Sequence, residues 1–209
     1  MAEKGLLIVI SGFAGSGKGT VVKEILKTFP ENYALSVSAT TRNPRPGEVH
    51  GREYFFLKKE EFETMIENSE FIEYAKYVDN YYGTPKSYVE EQLNAGKNVI
   101  LEIEIQGALN IRKLNPNAVL IFLMPPSAEE LENRLRGRGT EDDATIAKRL
   151  SRAHEEALGI ENYDYLVIND EVSHCANRIH SIANAEKLSV KRQHERIAEI
   201  QKQLESYKL

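Results

Sequence analysis

The sequence contains a single cysteine, Cys175, and no long run of apolar residues. One cysteine excludes an intrachain disulfide bond. The N-terminal segment "MAEKG" leads into only five apolar residues, which are too few for the core of a signal peptide. No stretch approaches the roughly 18 apolar residues of a membrane-spanning helix. These absences predict a cytoplasmic protein.

An excess of positive charge is also absent. Lysine and arginine number 27 against 32 aspartates and glutamates, which gives a net charge of −5 at pH 7. This balance argues against a nucleic-acid surface and against binding to anionic membranes. A small anionic ligand is still compatible with the sequence, because clustered arginines can oppose the overall charge locally. The 209 residues suffice for one domain with small insertions.

Short apolar runs alternate with segments of helical periodicity, which predicts an α/β fold with a parallel sheet covered by helices. The runs at 6–10 and 118–124 have no polar face, as expected for strands that are buried on both sides. The predicted strands are 6–10, 34–38, 98–104, 118–124 and 164–168.

Two segments depart from this pattern. Residues 39–88 combine a proline- and arginine-rich stretch, a short helix and an aromatic hairpin, which predicts an antiparallel insertion into the parallel sheet. Residues 134–152 predict a second insertion, in which glycines interrupt an arginine-rich helix. The tail 172–209 predicts one long helix that packs on its own domain, with self-association into a homo-oligomer as the alternative.

The stretch "LLIVISGFAGSGKGT" at 6–20 joins a strand to a glycine-rich loop. A helix that begins near Lys18 would direct several backbone N–H groups at one point, and the lysine adds a positive charge. The pattern therefore predicts a loop that binds nucleotide phosphates, with a turn that binds no ligand as the alternative. The residues expected to bind the nucleotide are Gly12, Phe13, Ala14, Gly15, Ser16, Gly17, Lys18, Gly19 and Thr20.

This loop departs from the usual pattern G-x-x-x-x-G-K-[ST] at Gly19, where a hydroxyl side chain is expected. The direct hydroxyl ligand for Mg²⁺ is therefore missing or supplied by Thr20. Because Mg²⁺ keeps most of its water ligands and also binds substrate phosphates, we still expect this ion.

Arginines are concentrated in the second insertion. Arg134, Arg136, Arg138, Arg149 and Arg152 lie within nineteen residues, beside two glycines. Mobile cations that close over a transferring phosphoryl group neutralise its charge and exclude water. The segment therefore predicts a lid, and a solvated basic helix face is the alternative reading.

The first insertion contains a second arginine pair. Arg42 and Arg45 lie among prolines, where the chain is stiff and exposed. Two fixed guanidinium groups can bind a phosphate monoester bidentately, and the hydroxyl groups of Tyr54 and Tyr82 could donate to the same phosphate. A plain loop for the arginines and core packing for the tyrosines are the alternatives.

A carboxylate in the same insertion suggests which base is bound. Guanine presents N1–H and N2–H₂ donors, and one carboxylate can accept from both. Adenine presents the reverse pattern, so a buried carboxylate would reject it. Glu73 is the candidate acceptor, and the hydroxyl groups of Ser38 and Thr84 are candidate donors to O6.

Five segments together resemble guanylate kinases, in order and over about residues 6–185. They are "SVSATTRNPRPGEVHGREYFF", "FIEYAKYVDNYYGTP", "LEIEIQGA", "PPSAEELENRLRGRGT" and "VIND". The resemblance implies a P-loop fold that catalyses ATP + GMP ⇌ ADP + GDP with Mg²⁺. It implies a core formed by 1–37, 89–133 and 153–209, a GMP-binding region at 38–88 and a lid at 134–152.

The same resemblance assigns roles to individual residues. The lid arginines that grip phosphate correspond to Arg134, Arg138 and Arg149, and together with Lys18 and Arg42 they are the expected catalytic groups. Asn169 corresponds to a position near adenine, and Glu102 to an acidic position near the phosphates that could bind Mg²⁺ directly or through water. The implied contacts to GMP are Ser38, Arg42, Arg45, Tyr54, Glu73, Tyr82, Thr84 and Glu104, and dGMP is a further expected substrate whose use relative to GMP the sequence leaves open.

Two features of the sequence depart from those of guanylate kinases. Many guanylate kinases carry aspartate where this chain has Glu102 and Glu104, so the longer side chain shifts the expected geometry slightly. The segment "GKGT" is similar to adenylate kinases, which makes AMP a rival acceptor. A non-catalytic, guanylate-kinase-like peptide-binding module is the other rival. Such modules lack an intact phosphate loop, so the presence of Lys18 argues against this reading.

Overall fold

The computed structural model describes residues 4–77, 79–137 and 142–207. Its strands are β1 (Leu7–Ser11), β2 (Tyr33–Leu35), β3 (Ala39–Thr40), β4 (Phe55–Phe56), β5 (Phe71–Tyr77), β6 (Asn80–Pro85), β7 (Asn98–Glu102), β8 (Val119–Met124) and β9 (Tyr165–Ile168). Its α-helices are α1 (Lys18–Thr28), α2 (Lys59–Glu67), α3 (Lys86–Asn94), α4 (Ile105–Leu114), α5 (Ala128–Arg136), α6 (Asp143–Ala157), α7 (Val172–Lys187) and α8 (His194–Leu204).

The main sheet has five strands in the order β2-β7-β1-β8-β9, and every neighbouring pair is parallel. The predicted α/β fold with a parallel sheet is therefore confirmed. Each of its strands lies within a predicted run or one residue beyond it. Two strands end earlier than predicted, β2 at Leu35 and β7 at Glu102.

Helices cover both faces of this sheet, and the alternation of side chains along β1 explains its apolar sequence. Ile8 and Ile10 point to one face, where they pack in a cluster with α1 and α7. Leu7 and Val9 point to the other face, where they pack with α3 and α4. Because both faces of β1 are buried, a polar residue would be costly at any of these positions.

Residues 39–85 contain a second sheet, in the order β4-β3-β6-β5. Helix α2 packs on it through Phe62, whose ring stacks on Phe71 at a centroid distance of 4.3 Å. The predicted antiparallel pairing is found for β3–β6 and β5–β6, but it is wrong for β3–β4, which are parallel. Parallel neighbours cannot be joined by a tight hairpin, so the chain makes a wide connection over 41–54.

The arginine-rich segment is divided between α5 and α6. The hydroxyl of Ser127 caps α5 by accepting a hydrogen bond from the amide of Glu130, and the carboxylate of Asp142 caps α6 by accepting from the amide of Thr145. Helix α5 ends before Gly137, in agreement with the predicted interruption at this glycine. Arg138 lies outside the described residues.

The prediction of one long helix over 172–209 is wrong. Helix α7 ends at Lys187 and a short 3-10 turn precedes α8. The turn after α7 is held by the buried Glu186, whose carboxylate accepts hydrogen bonds from the Tyr165 hydroxyl at 2.6 Å and from Nε of Arg192 at 2.8 Å. The chain must turn after α7 for Arg192 to reach this carboxylate. Ile200 and Leu204 of α8 are exposed.

Within the described ranges, we find no helix that is long and apolar enough to cross a membrane.

Candidate active site

The glycine-rich loop connects β1 to the first residue of α1. Gly15 and Gly17 adopt φ angles of +93° and +90°, which L side chains rarely tolerate. A β-carbon on Gly12 would lie 2.0 Å from the carbonyl oxygen of Leu123, and one on Gly17 would lie 2.5 Å from Nδ2 of Asn169. The glycines are therefore required by backbone conformation and by close approach to β8 and to the end of β9.

Lys18 begins α1, as predicted, and its side chain folds back across the loop. Its ammonium group donates to the carbonyl oxygens of Gly12 at 2.6 Å and Phe13 at 3.2 Å. The first turn of α1 carries no acidic side chain, so the positive end of the helix dipole and the lysine act together. This arrangement suits a phosphate anion.

Two other predicted residues support the loop from outside. Nδ2 of Asn169 donates to the carbonyl oxygen of Ser16 at 2.8 Å, and Arg134 donates to the same oxygen at 3.4 Å. Arg134 also donates to the carbonyl oxygen of Asn169 at 2.9 Å and to Glu130 at 2.7 Å. The structure thus brings the loop, α5 and the end of β9 together. A direct contact of Arg134 with phosphate stays a prediction.

Ser16 contributes a second polar group to the loop. Its hydroxyl oxygen is buried and, among the described residues, has no hydrogen-bond partner. A buried hydroxyl without a partner is costly, and a phosphate oxygen would satisfy it.

The carboxylate of Glu102, the last residue of β7, faces the first turn of α1. A β-carbon on Gly19 would lie 3.5 Å and 3.6 Å from its two oxygens. Burial raises the pKa of Glu102, and the positive charges of Lys18 and Lys23 oppose this shift. Thr20 is exposed on the same turn.

These groups fit an Mg²⁺ ion that keeps much of its water shell. In the part of the chain that the structure describes, no cluster of three or more histidine, cysteine, aspartate or glutamate side chains could enclose a metal. Mg²⁺ does not need such a cage, because one or two carboxylates together with substrate phosphates and water complete its coordination. Glu102 is the carboxylate beside the loop, and Thr20 is the hydroxyl in the position after Gly19.

Arg42 is the centre of a second polar cluster, in the connection between β3 and β4. Its guanidinium group bonds to the carboxylate of Glu48 at 2.9 Å and donates to the carbonyl oxygen of Asn43 at 2.7 Å. The same group lies 5.5 Å and 5.7 Å from the ring centroids of Tyr54 and Phe56. The cluster holds a cation at a fixed place beside aromatic rings.

Tyr82 extends this cluster, because its ring meets the ring of Tyr54 edge-on at 6.1 Å. Burial is the main cause that raises the pKa of Tyr54, and Tyr82 adds to it. The Tyr54 hydroxyl therefore remains protonated and can donate to an anion at neutral pH. Hydrogen bonds from the two tyrosine hydroxyl groups to a phosphate stay a prediction.

Glu73 and Thr84 form a hydrogen-bonded pair across β5 and β6. The Thr84 hydroxyl donates to Oε1 of Glu73 at 2.8 Å, and Thr84 is 0% exposed. A threonine hydroxyl has a single hydrogen to donate, so in this structure Thr84 supports Glu73 and does not present the predicted donor for guanine O6. Burial raises the pKa of Glu73, and the hydrogen bond from Thr84 lowers it in part. A β-carbon on Gly107, in the first turn of α4, would lie 3.8 Å from Oε2 of Glu73. The start of α4 therefore lies close to this second oxygen.

The remaining predicted residues are Ser38, Arg45, Glu104 and Arg149. The Ser38 side chain is half-buried, and its carbonyl oxygen accepts from the amide of Phe55 at 2.8 Å. Arg45 is exposed and Arg149 is half-buried on α6. Glu104 precedes α4, and its carboxylate lies 3.7 Å from Arg152 of α6.

Three residues in contact with the site were not predicted. Glu48 pairs with Arg42, Phe56 lies against the same guanidinium group, and Glu130 pairs with Arg134. The i,i+4 spacing of Glu130 and Arg134 is a sequence signal that could have identified the last pair. The other two depend on how the 41–54 connection folds.

The chain is similar to known proteins over most of its length. The family profile described as guanylate kinase matches residues 4–186. The guanylate kinase of Lactiplantibacillus plantarum is 53% identical over 192 residues, which cover 92% of this chain and 93% of that protein. The guanylate kinase of Clostridioides difficile is 54% identical over 190 residues, which cover 91% of this chain and 92% of that protein.

A solved structure agrees with these sequence matches. The crystal structure of guanylate kinase from Anaplasma phagocytophilum has a TM-score of 0.69 and 36% identity, and the match covers 91% of this chain and 90% of that chain.

Proposed function

The chain belongs to the guanylate kinase family, and we propose from its site that it transfers the γ-phosphoryl group of ATP to GMP, giving ADP and GDP. Its parallel sheet and glycine-rich loop make it a P-loop kinase. The reaction returns GMP to the guanine nucleotides of purine metabolism. We expect dGMP to be an acceptor too, because no residue assigned above is needed for the ribose 2′-hydroxyl.

The donor phosphates bind at the loop of residues 12–20. The backbone N–H groups of the loop, the Ser16 hydroxyl and the Lys18 ammonium group supply the donors. Support for Lys18 comes from its present acceptors, which are the loop carbonyl oxygens of Gly12 and Phe13. An incoming phosphate replaces these neutral acceptors with a charged one, which forms a stronger hydrogen bond. Asn169 lies at the adenine end of this site.

The phosphate of GMP binds at Arg42 and Arg45, with the hydroxyl groups of Tyr54 and Tyr82. Support comes from the guanidinium group of Arg42, which Glu48 and the rings of Tyr54 and Phe56 hold in one place. A preorganised guanidinium group loses little conformational freedom when it binds a phosphate.

The observation that best supports GMP as the acceptor is the 2.8 Å hydrogen bond between Thr84 and Glu73. It occupies one carboxylate oxygen and orients the side chain, so the other oxygen is directed toward the ligand. Guanine N1–H and N2–H₂ can donate to this carboxylate, whereas adenine would leave it unpaired. Ser38 and Glu104 are the further base contacts in the proposal.

The chain's own groups act by positioning and by charge, since the acceptor phosphate is already an anion at neutral pH and needs no general base. Lys18 and Arg42 hold the two phosphates for in-line transfer, and Arg134, Arg138 and Arg149 neutralise the charge of the moving group. In this proposal 38–88 binds GMP, 134–152 closes as a lid, and the core consists of 1–37, 89–133 and 153–209.

Mg²⁺ is the metal that this site would use. Glu102 and Thr20 would hold it, directly or through water, and when bound it would neutralise charge on the ATP phosphates. We also propose a cytoplasmic location, where ATP and GMP are available and where the free, buried Cys175 stays reduced.

AMP is the second candidate acceptor, because Gly19 gives the loop the sequence of an adenylate kinase. An assay of ADP release with GMP, dGMP, AMP, CMP and UMP separates the candidates. We expect ADP release with GMP and dGMP only. Equal or faster ADP release with AMP would reject the proposed acceptor.

A further inference from the structure

Glu48 connects the two arginines of the proposed GMP phosphate site. Its carboxylate bonds to a terminal nitrogen of Arg42 at 2.9 Å and accepts a hydrogen bond from the backbone amide of Arg45 at 2.7 Å. The amide of Glu48 in turn donates to the carbonyl oxygen of Arg45 at 3.0 Å. One acidic residue therefore closes the 42–48 segment into a compact turn.

The Arg42–Glu48 pair is largely shielded from solvent. The two side chains are 17% and 19% exposed. The hydrogen bond from the Arg45 amide and the charge of Arg42 hold the pKa of Glu48 below its ordinary value, against the effect of burial. Glu48 is therefore ionised at neutral pH, and it fixes the guanidinium group more firmly than a neutral acceptor would.

The geometry leaves Arg42 able to bind a phosphate as well. Glu48 takes a bond from one terminal nitrogen and Asn43 takes a bond from the other. A guanidinium group has five N–H donors, so further donors remain for a ligand. The plane of the group is fixed before the ligand arrives.

We propose that Glu48 is a positioning residue for the acceptor phosphate, because it holds the guanidinium group of Arg42 and the backbone of Arg45 in the arrangement that receives GMP. This inference rests on the proposed function. It names a residue that would not touch the substrate and would act only through Arg42 and Arg45.

Glu48 also places a negative charge near the incoming phosphate. Repulsion between these two charges would weaken GMP binding, whereas the positioning of Arg42 would strengthen it. If repulsion were the larger effect, removal of the charge would strengthen GMP binding. We expect positioning to be the larger effect, because a long arginine side chain without its partner adopts many rotamers and loses them on binding. The direction of the change in KM therefore distinguishes the two effects.

The test uses the full chain with Glu48→Gln, which keeps the size of the side chain and removes its charge. Hydrogen bonds to charged groups typically contribute enough for a change of roughly tenfold or more. We expect KM for GMP to rise by about tenfold, while KM for ATP and the melting temperature remain close to those of the unmodified protein.

Glu53→Gln is the matched control, because Glu53 lies in the same connection and also accepts a backbone hydrogen bond. Its partners are the amide of Val49 at 2.7 Å and Nε of Arg52 at 2.6 Å. We expect this variant to keep the KM for GMP of the unmodified protein.

A double-mutant cycle with Arg42→Lys tests whether Glu48 acts through Arg42. The dissociation constant of GMP is measured by calorimetry, so that no variant needs to turn over. We expect Glu48→Gln to weaken binding much less in the Arg42→Lys background than in the unmodified protein. Equal effects in both backgrounds would overturn the inference.

An unchanged or lower KM for GMP in Glu48→Gln would also overturn it, as would equal rises in KM for GMP and KM for ATP. Failure of the proposed function would be seen separately, as an unmodified protein that releases no ADP with GMP.

Discussion

Gly19 and Glu102 face each other at the mouth of the phosphate loop, and a β-carbon at position 19 would lie 3.5 Å and 3.6 Å from the two carboxylate oxygens. The usual loop sequence places a hydroxyl at this position, directed toward Mg²⁺. Here the carboxylate of Glu102 lies beside the space that such a hydroxyl would use.

This relationship predicts the effect of Gly19→Ser. The separation of 3.5 Å is an ordinary van der Waals contact, so the protein should fold, and the new hydroxyl adds a ligand beside Glu102. We expect a lower Mg²⁺ concentration at half-maximal rate, measured in a titration at saturating ATP and GMP. Mn²⁺ binding followed by electron paramagnetic resonance gives a readout that is independent of turnover. A higher Mg²⁺ requirement would contradict this account of the loop.

The second prediction concerns Lys18→Ala. Loss of the ammonium group removes the charge that faces the donor phosphates, and we expect kcat to fall by on the order of 10³-fold. The melting temperature should change little, because the acceptors of Lys18 within the described residues are two backbone carbonyl oxygens of its own loop and no partner side chain is left unpaired. Lys27→Ala is the control, since Lys27 lies on the same helix and its side chain is 77% exposed. Substantial activity in Lys18→Ala would remove it from the donor site.

The third prediction concerns Glu73→Gln. An amide oxygen cannot replace a carboxylate that accepts from both guanine donors, so kcat/KM for GMP should fall by about 10²-fold or more. Glu70→Gln is the control, because Glu70 is exposed in the same region and bonds to Asn68. Initial rates over a range of GMP and AMP concentrations provide the measurement. If the preference for GMP over AMP were unchanged, Glu73 would not select the base.

The fourth prediction follows from the half-buried position of Glu73. Burial raises the pKa of this carboxyl group, with partial compensation by Thr84. Only the ionised form accepts from both guanine donors, so kcat/KM for GMP should decrease as the pH falls through this raised pKa.

The phosphate group of GMP titrates in the acid range too, so Glu73→Gln serves as the reference for this pH profile. The ratio of kcat/KM between the unmodified protein and Glu73→Gln should decline toward low pH. A ratio that is constant with pH would show that the ionisation of Glu73 is not involved.

The main sheet and the phosphate loop could be predicted because local patterns determine them. A strand such as β1, with both faces buried, has no polar position, and Gly15 and Gly17 are needed for the φ angles of the loop. The start of α1 at Lys18 follows from the same local pattern. The pairing of Glu73 with Thr84 could also have been predicted, since both residues lie in one predicted hairpin.

The features that could not be predicted depend on contacts between distant parts of the chain. The break after α7 lets Arg192 bond to the buried Glu186, and the helical pattern of the tail does not indicate this contact. Arg134 reaches the carbonyl oxygen of Ser16 across 118 positions of sequence. The parallel pairing of β3 with β4 depends on how the whole 41–54 connection folds. The position of Glu48 beside Arg42 depends on the same connection.

A crystal structure of this chain with GMP and a non-hydrolysable ATP analogue would test the central claim most directly. The account predicts the GMP phosphate at Arg42, the guanine edge at Glu73, and the analogue's phosphates on the loop around Lys18. GMP bound at any other place, or an analogue bound away from this loop, would contradict it.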